Sequence, residues 1–328
     1  RTLRLESYYD VQTPADRYLP TDKDNFLVAF KWAKIDKMII CNRQSLTFEY
    51  EMYGGLKTTL GLKAEEMEAV GAMSFRTLNQ PMQENKDITV HHREYLRTTE
   101  LHAELRYAPD ETYVNSKQRR VAINRDVPIL TLSHTFGFKG FLGGQYTSNV
   151  TEAKIYKRFW LNSWGKVDLF LKGGIQWNQV PYMLLIQPPA NQSYVIEEEM
   201  YNLINNMEFL NDHYASMMLS WDMNGKLFNR IPLLKKLKWR EYIAINTLWG
   251  SLSDKNNPFL PQNAGSDRLM YFPDGCNIMD SGQPYFELVV GVHNIFKLFH
   301  VDLVRRLNYL DLPTSHKWGI RYIFRLTF

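Results

Sequence analysis

Cysteine is nearly missing from this sequence. Cys41 and Cys276 are the two in 328 residues, far apart and in no CxxC or ligand-like spacing. That excludes a disulfide framework and a cysteine zinc site. Long apolar runs are missing too. The longest, Phe26 to Phe30 and Tyr182 to Ile186, are about five residues, and a membrane-crossing helix needs about 20. A large excess of one charge sign is missing: the net charge is +4, well short of a nucleic-acid footprint, so no nucleic-acid partner is expected. The one dense basic run, Lys235 to Arg240, reads as a solvated turn or a lipid-headgroup contact. The sequence opens at Arg1 without Met or a leader. It reads as a fragment or a processed chain, so the missing leader carries no statement about location.

What is present is aromatic and alternating. Aromatic residues make up 14%, which suits the interfacial girdles of a transmembrane barrel. The C-terminal stretch is the clearest segment. Trp318, Ile320, Tyr322, Phe324, Leu326 and Phe328 share one face, and Gly319, Arg321, Ile323, Arg325 and Thr327 share the other. Side chains on a strand alternate faces, so this is a strand with one apolar, aromatic face. A barrel that closes on itself in lipid needs such a final strand.

The same pattern recurs upstream. In 298–310, Phe299, Val301 and Leu303 oppose His300, Asp302, Val304 and Arg306, with Arg305 interrupting the apolar face. In 284–293, Phe286, Leu288, Val290 and Val292 oppose Glu287, Val289, Gly291 and His293. Further strand segments fall at 237–250, 213–223, 166–177, 145–161, 127–138, 98–109, 71–78, 56–63, 45–53 and 1–8, roughly 12 slots in all. Polar second faces suit a wet lumen. The expected fold is therefore all-β, a transmembrane antiparallel up-and-down β-barrel. A short helical connection is expected near residues 22–42, where Phe26, Phe30, Ala33 and Met38 form a stripe.

Connection lengths orient the scheme. With both chain ends in the periplasm, 311–317, 251–283, 178–211 and 80–97 fall outside. Segments 294–297, 224–236, 162–165 and 110–126 fall on the periplasmic side. The longest late connections, 251–283 and 178–211, are then extracellular, as barrels prefer. The long 110–126 and 224–236 segments run against that preference.

Candidate chemistry is sparse. Ser133 and His134 are neighbours and point to opposite faces, so they cannot pair as nucleophile and base. Glu100, His102 and Glu104 share one face of a strand. That spacing can hold a metal or tune a proton, but a lumen hydrogen-bond network with Arg106 is the stronger reading. Glu197 to Glu199 reads as a solvated acidic run, and neighbouring His91 and His92 diverge. No catalytic residue, cofactor or metal is expected. The stretch Glu208 to Asp212 ends the long external connection. If that connection folds inward, Glu208 and Asp212 can tie it to a lumen arginine such as Arg240, Arg306 or Arg325.

Five blocks carry a resemblance: 100–111 (ELHAELRYAPDE), 126–137 (DVPILTLSHTFG), 206–216 (NMEFLNDHYAS), 228–241 (FNRIPLLKKLKWRE), and 294–297 (NIFK) with Arg305-Arg306-Leu307. They resemble a Bacteroidetes outer-membrane family known only as a domain of unknown function. Its members commonly carry a carboxypeptidase-regulatory-like domain ahead of the barrel. More distantly, the sequence is similar to the BamA and TamA superfamily of outer-membrane insertases and translocators. That resemblance implies sixteen strands in the full protein, so 1–328 would be a single barrel domain lacking its first strands and any periplasmic domain. It also implies that 178–211 occupies the position of the superfamily's lumen loop and occludes the lumen. The superfamily's Val-Arg-Gly-Phe/Tyr motif is missing from that loop, so insertase activity does not carry over. The aromatic end, with Trp318, Tyr322, Phe324 and Phe328, resembles the signal read by the barrel assembly machinery. The expected partners are outer-membrane lipid, that machinery and other envelope proteins. The leading expectation is a non-enzymatic outer-membrane barrel with a transport, translocation or assembly role. Its rivals are a barrel enzyme acting on lipid or glycan and a soluble β-sandwich binding module.

Overall fold

The computed structural model describes residues 1–14, 30–33, 35–80, 94–115, 120–123 and 126–324. Twelve strands form one antiparallel sheet in chain order. They are β1 (Thr2–Gln12), β2 (Lys37–Glu51), β3 (Leu56–Gly71), β4 (Tyr95–Tyr107), β7 (Ile129–Gly137), β8 (Ser148–Trp160), β9 (Lys166–Gln176), β10 (His213–Asp222), β11 (Arg240–Ser251), β12 (Tyr285–Ile295), β13 (Phe299–Arg306) and β14 (Trp318–Phe324). Each pairs with its sequence neighbour, and a separate hairpin of β5 (Tyr113–Asn115) and β6 (Arg120–Ala122) decorates the β4–β7 connection. Among the described residues the one α-helix is α1 (Pro232–Leu237). No helix among them is long and apolar enough to cross a membrane.

The alternation read from the sequence sets the two faces. On β13, His300, Asp302, Val304 and Arg306 are buried, while Leu303 and Arg305 are exposed. On β12, Tyr285, Glu287, Val289 and Gly291 are buried and Val290 is exposed. The outer face carries a continuous exposed apolar band, with Leu5, Phe48, Leu60, Leu105, Leu132 and Ile155 in the first half. Val290, Leu303 and Ile320 continue it. Exposed aromatics flank the band at both ends. Trp177, Trp249 and Trp318 lie at the end with the long connections, and Trp160, Trp164 and Phe324 at the other. A soluble sheet would leave polar side chains there; lipid favours this arrangement.

Three expectations need correction. The segment 71–78 is not a strand. β3 runs to Gly71, where φ is 72° and a Cβ would stand 2.2 Å from the Asp36 carbonyl oxygen, so only glycine fits and the chain turns. Beyond it, Met73 and Phe75 enter a buried apolar cluster. The strand expected at 1–8 is present as β1, and it is longer, Thr2–Gln12. The short helical connection expected near 22–42 has no helix among its described residues, and Lys37 onward is β2, with Ile39 and Cys41 buried in period-two alternation. Residues 22–29 and 34 of that stretch, and 325–328 at the end, lie outside the described residues.

The sheet is curled. One connection, 177–212 between β9 and β10, contacts β2 near one end of it and β14 at the other. Asn206 Nδ2 donates to the Lys37 carbonyl at the start of β2 (3.0 Å), and the Tyr322 N–H on β14 donates to the Tyr194 carbonyl (2.8 Å).

Candidate functional site

The connection 177–212 is the most unusual part of the molecule. Connections normally run over the surface, because buried backbone leaves N–H and C=O groups without water. Here most residues from Val180 to Asp212 are buried, with Tyr194 and Glu198 the exposed ones. The segment packs against the inner face as a plug, and its backbone must find partners there.

Some partners are internal. Ile186 and Asn211 form an antiparallel bridge, and Ala190 and Tyr201 a parallel one. Apolar residues fill the space between. Tyr182, Met183, Leu185 and Leu210 cluster with Ile39, Met67 and Leu96 of β2–β4, and Tyr201, Ile204 and Phe209 with Leu248 and Tyr285 of β11–β12. Fully burying one such side chain is worth about 1.5–3 kcal/mol.

The remaining partners are charged side chains of the wall. Glu287 on β12 is wholly buried. Its carboxylate accepts the backbone N–H groups of Asn202 (3.1 Å) and Leu203 (3.2 Å), Asn246 Nδ2 (2.8 Å) and the Tyr285 hydroxyl (3.0 Å). Arg306 on β13 sits 2.7 Å from Glu208, both side chains with no exposure. Arg306 Nη1 also donates to the Leu203 carbonyl (3.2 Å), and its guanidinium lies 5.0 Å from the Tyr285 ring centre. Arg321 on β14 donates to the Asn202 carbonyl and lies over the Trp32 ring at 4.8 Å. Asn202 and Leu203 are thus gripped from three adjacent strands. Charge-assisted hydrogen bonds of this kind are the stronger ones.

The plug also pairs with the edge of β14 at Tyr322. Tyr194 accepts from Tyr322, Ile196 N–H donates to the Tyr322 carbonyl (3.1 Å), and the Tyr194 and Tyr322 rings stack at 6.4 Å. On its other side the same segment bridges Lys31 through Ser193. An open strand edge is a template for unwanted pairing, and this one is occupied at Tyr322.

The residues singled out from the sequence divide clearly. Glu208 and Arg306 meet. Asp212 does not reach an arginine: it accepts from Ser253 N–H (3.0 Å), Asn256 Nδ2 (2.8 Å), the Ser253 hydroxyl and His213 Nδ1 (2.5 Å). It therefore ties the plug's end to the connection after β11. Burial pushes its carboxyl pKa upward, but the hydrogen bonds from Asn256, Ser253 and His213 outweigh it and hold the group below the ordinary value. Arg240 stands at the far end of β11, opposite His293, away from Glu208 because β11 runs the length of the wall between them. Arg325 and Phe328 lie outside the described residues. Trp318 and Phe324 are exposed on the outer face, and Tyr322 stacks on the plug.

Glu100, His102 and Glu104 face inward on β4 without converging on one point. Glu100 pairs with Lys63 (2.8 Å), His102 Nδ1 bonds Thr135 Oγ1 (2.9 Å), and Glu104 lies 3.9 Å from His102 Nε2. Among the described residues no group of three His, Cys, Asp or Glu could hold a metal ion. Ser133 and His134 are on opposite faces, with Ser133 inward and His134 exposed and bonded to Thr151 (3.0 Å). Glu287 was missed as a site residue. Its one sequence signal was a carboxylate on a strand's inner face.

An up-and-down antiparallel sheet with a lipid-suited outer face and charged side chains directed inward is the fold of an outer-membrane β-barrel. The crystal structure of BamA from Haemophilus ducreyi lacking POTRA domains 1–3 matches it with a TM-score of 0.52 at 8% identity, over 88% of this chain and 55% of that one. CdiB from Acinetobacter baumannii matches with a TM-score of 0.45 at 12% identity, over 88% and 42%. The chain thus spans about half the length of these structures, and at such identity the likeness is one of fold alone. No curated protein sequence matches it. The model of the family of unknown function DUF5686, C-terminal domain, matches residues 43–258, and the chain belongs to that family.

Proposed function

We propose that this chain forms an outer-membrane barrel with a non-enzymatic envelope role, and that the plug 177–212 keeps its lumen closed at rest. The observation that carries this reading is the grip of Glu287, Arg306 and Arg321 on one short stretch of plug backbone. Three charged anchors on neighbouring strands hold a segment that lies across the inner wall. A releasable plug fits transport, translocation or assembly better than a fixed pore. The exposed apolar band and its aromatic borders, which lipid would cover, support a membrane location, and the aromatic residues of the last strand suit recognition by assembly machinery.

Planar-bilayer conductance of the full-length protein tests the reading. Wild type is expected to be almost non-conducting, and Glu208→Ala to show frequent openings. A steadily open wild type, or a silent Glu208→Ala variant that is correctly folded, contradicts it.

A further inference from the structure

The connection 223–239, between β10 and β11, carries Lys226, Arg230, Lys235, Lys236 and Lys238 and no acidic residue. The neighbouring connections at the same end, 161–165 and 294–298, add Lys297 and again no acid. The opposite end differs: the plug 177–212 holds Glu197, Glu198, Glu199, Glu208 and Asp212 and no Lys or Arg. Positive charge is therefore concentrated at the end that carries Trp164.

This basic connection folds back over the outer wall. Glu241 shares the outer face of β11 with exposed Ile243 and Trp249, yet it is buried beneath the connection, its carboxylate accepting the Phe228 N–H. Lys226 Nζ donates to Ser163 Oγ (2.9 Å) and lies 5.3 Å from the Trp164 ring centre. Trp221, on the outer face of β10, donates through Nε1 to the Trp164 carbonyl (2.8 Å), and the two rings lie 6.0 Å apart. Asn294 Nδ2 donates to the Lys238 carbonyl (2.6 Å). The connection is thus fixed beside the tryptophan border of the apolar band, the level at which a bilayer meets water.

Its free surface mixes two kinds of side chain. Leu233 and Leu237 of α1 lie four residues apart and so share a helix face. Both are exposed, Leu233 at 68%, as are Leu227 and Ile231 before them. Arg230, Lys235, Lys236 and Lys238 are exposed beside them, and among the described residues no carboxylate pairs with any of the four. Apolar side chains of this kind enter the acyl boundary while lysines reach the headgroups. A neutral headgroup layer would accommodate the leucines and leave the cations without counter-charge.

We propose that the connection 223–239 binds anionic phospholipid in the leaflet at this end, with Lys235, Lys236 and Lys238 on headgroup phosphates and Leu233 and Leu237 in the acyl boundary. This rests on the reading of the outer face as lipid-covered and adds a headgroup preference to it.

Native mass spectrometry of the full-length protein in a neutral detergent tests it, with phosphatidylglycerol and phosphatidylcholine of identical acyl chains as probes. Each cation near an anionic surface is worth about fivefold in binding, so wild type should retain phosphatidylglycerol at least about tenfold more strongly. The triple variant Lys235→Gln, Lys236→Gln, Lys238→Gln should lose that preference. Lys139→Gln with Lys317→Gln, which removes exposed cations at the long-connection end, should keep it. Raising NaCl from about 50 to about 500 mM should erase the preference in wild type, a check free of any substitution. Equal retention of the two lipids by wild type overturns the proposal, as does a triple variant that still prefers phosphatidylglycerol. Displacement of the lipid by millimolar inorganic phosphate would assign the cations to a free anion. A dimer that disappears in the triple variant, with no lipid preference, would assign the surface to a second copy. Either result overturns the proposal. Vesicle insertion separates this inference from the reading beneath it. A protein that inserts without headgroup preference fails here alone, whereas one that stays soluble without detergent ends the membrane reading as well.

Discussion

The inner faces of β2–β4 and β12–β14 use the same residue types in different ways. On β2–β4, charges pair along the wall: Arg43 with Glu65 (2.7 Å), Lys63 with Glu100 (2.8 Å) and Lys57 with Glu49 (2.8 Å), and each basic partner keeps about a quarter of its side chain exposed. On β12–β14, Glu287, Arg306 and Arg321 are dry and reach across to the plug. Alternation supplies an inward-facing charge in both regions. Burial by the plug decides whether the basic partner stays solvated, as on β2–β4, or becomes a dry anchor. In water an ion pair contributes little; in a dry site, removing one partner strands a charge.

This contrast can be broken at several points. The largest effect is expected from Arg306→Ala or Glu208→Ala, each costing the plug about 3–5 kcal/mol because the survivor stays buried and unpaired. The double change Arg306→Met with Glu208→Leu should cost far less. Limited proteolysis of the plug in the folded protein reads both, and equal damage from single and double variants would mean that packing, not charge, holds the plug.

A smaller effect is expected from acid. The folded pKa of Asp212 lies below its ordinary value, so the stabilisation it provides is complete above the unfolded pKa of about 4 and is lost as pH falls through the folded value. Asp212→Asn should remove that dependence, leaving plug proteolysis flat across the same acidic range. A retained slope would assign it to another group.

The smallest effect is expected on the wet wall. Lys57→Ala should change stability by about 0–1 kcal/mol and leave plug proteolysis unaltered, measured by urea unfolding alongside the Arg306 variants. A loss as large as that of Arg306→Ala would erase the distinction between the two walls.

Much of the wall was legible beforehand, because period-two alternation is local. The faces of β12 and β13 follow residue by residue from Phe286 and Phe299 onward. Glu208 and Arg306 could be considered together because both are charged side chains of opposite sign. Glu287 could not, since its plug partners include the main-chain N–H groups of Asn202 and Leu203, and backbone leaves no side-chain pattern to read. The segment 71–78 failed for a related reason. Met73 and Phe75 are apolar and alternate, yet they serve the plug's apolar cluster beyond the turn at Gly71. Asp212 failed because three neutral or weakly basic donors satisfy it where an arginine was expected.

Backbone hydrogen exchange on the folded full-length protein bears most directly on the anchored plug. The amides of Asn202 and Leu203 should exchange as slowly as those of β12 in wild type, and much faster in Arg306→Ala. Rapid exchange at both positions in the wild-type protein would contradict an anchored plug outright.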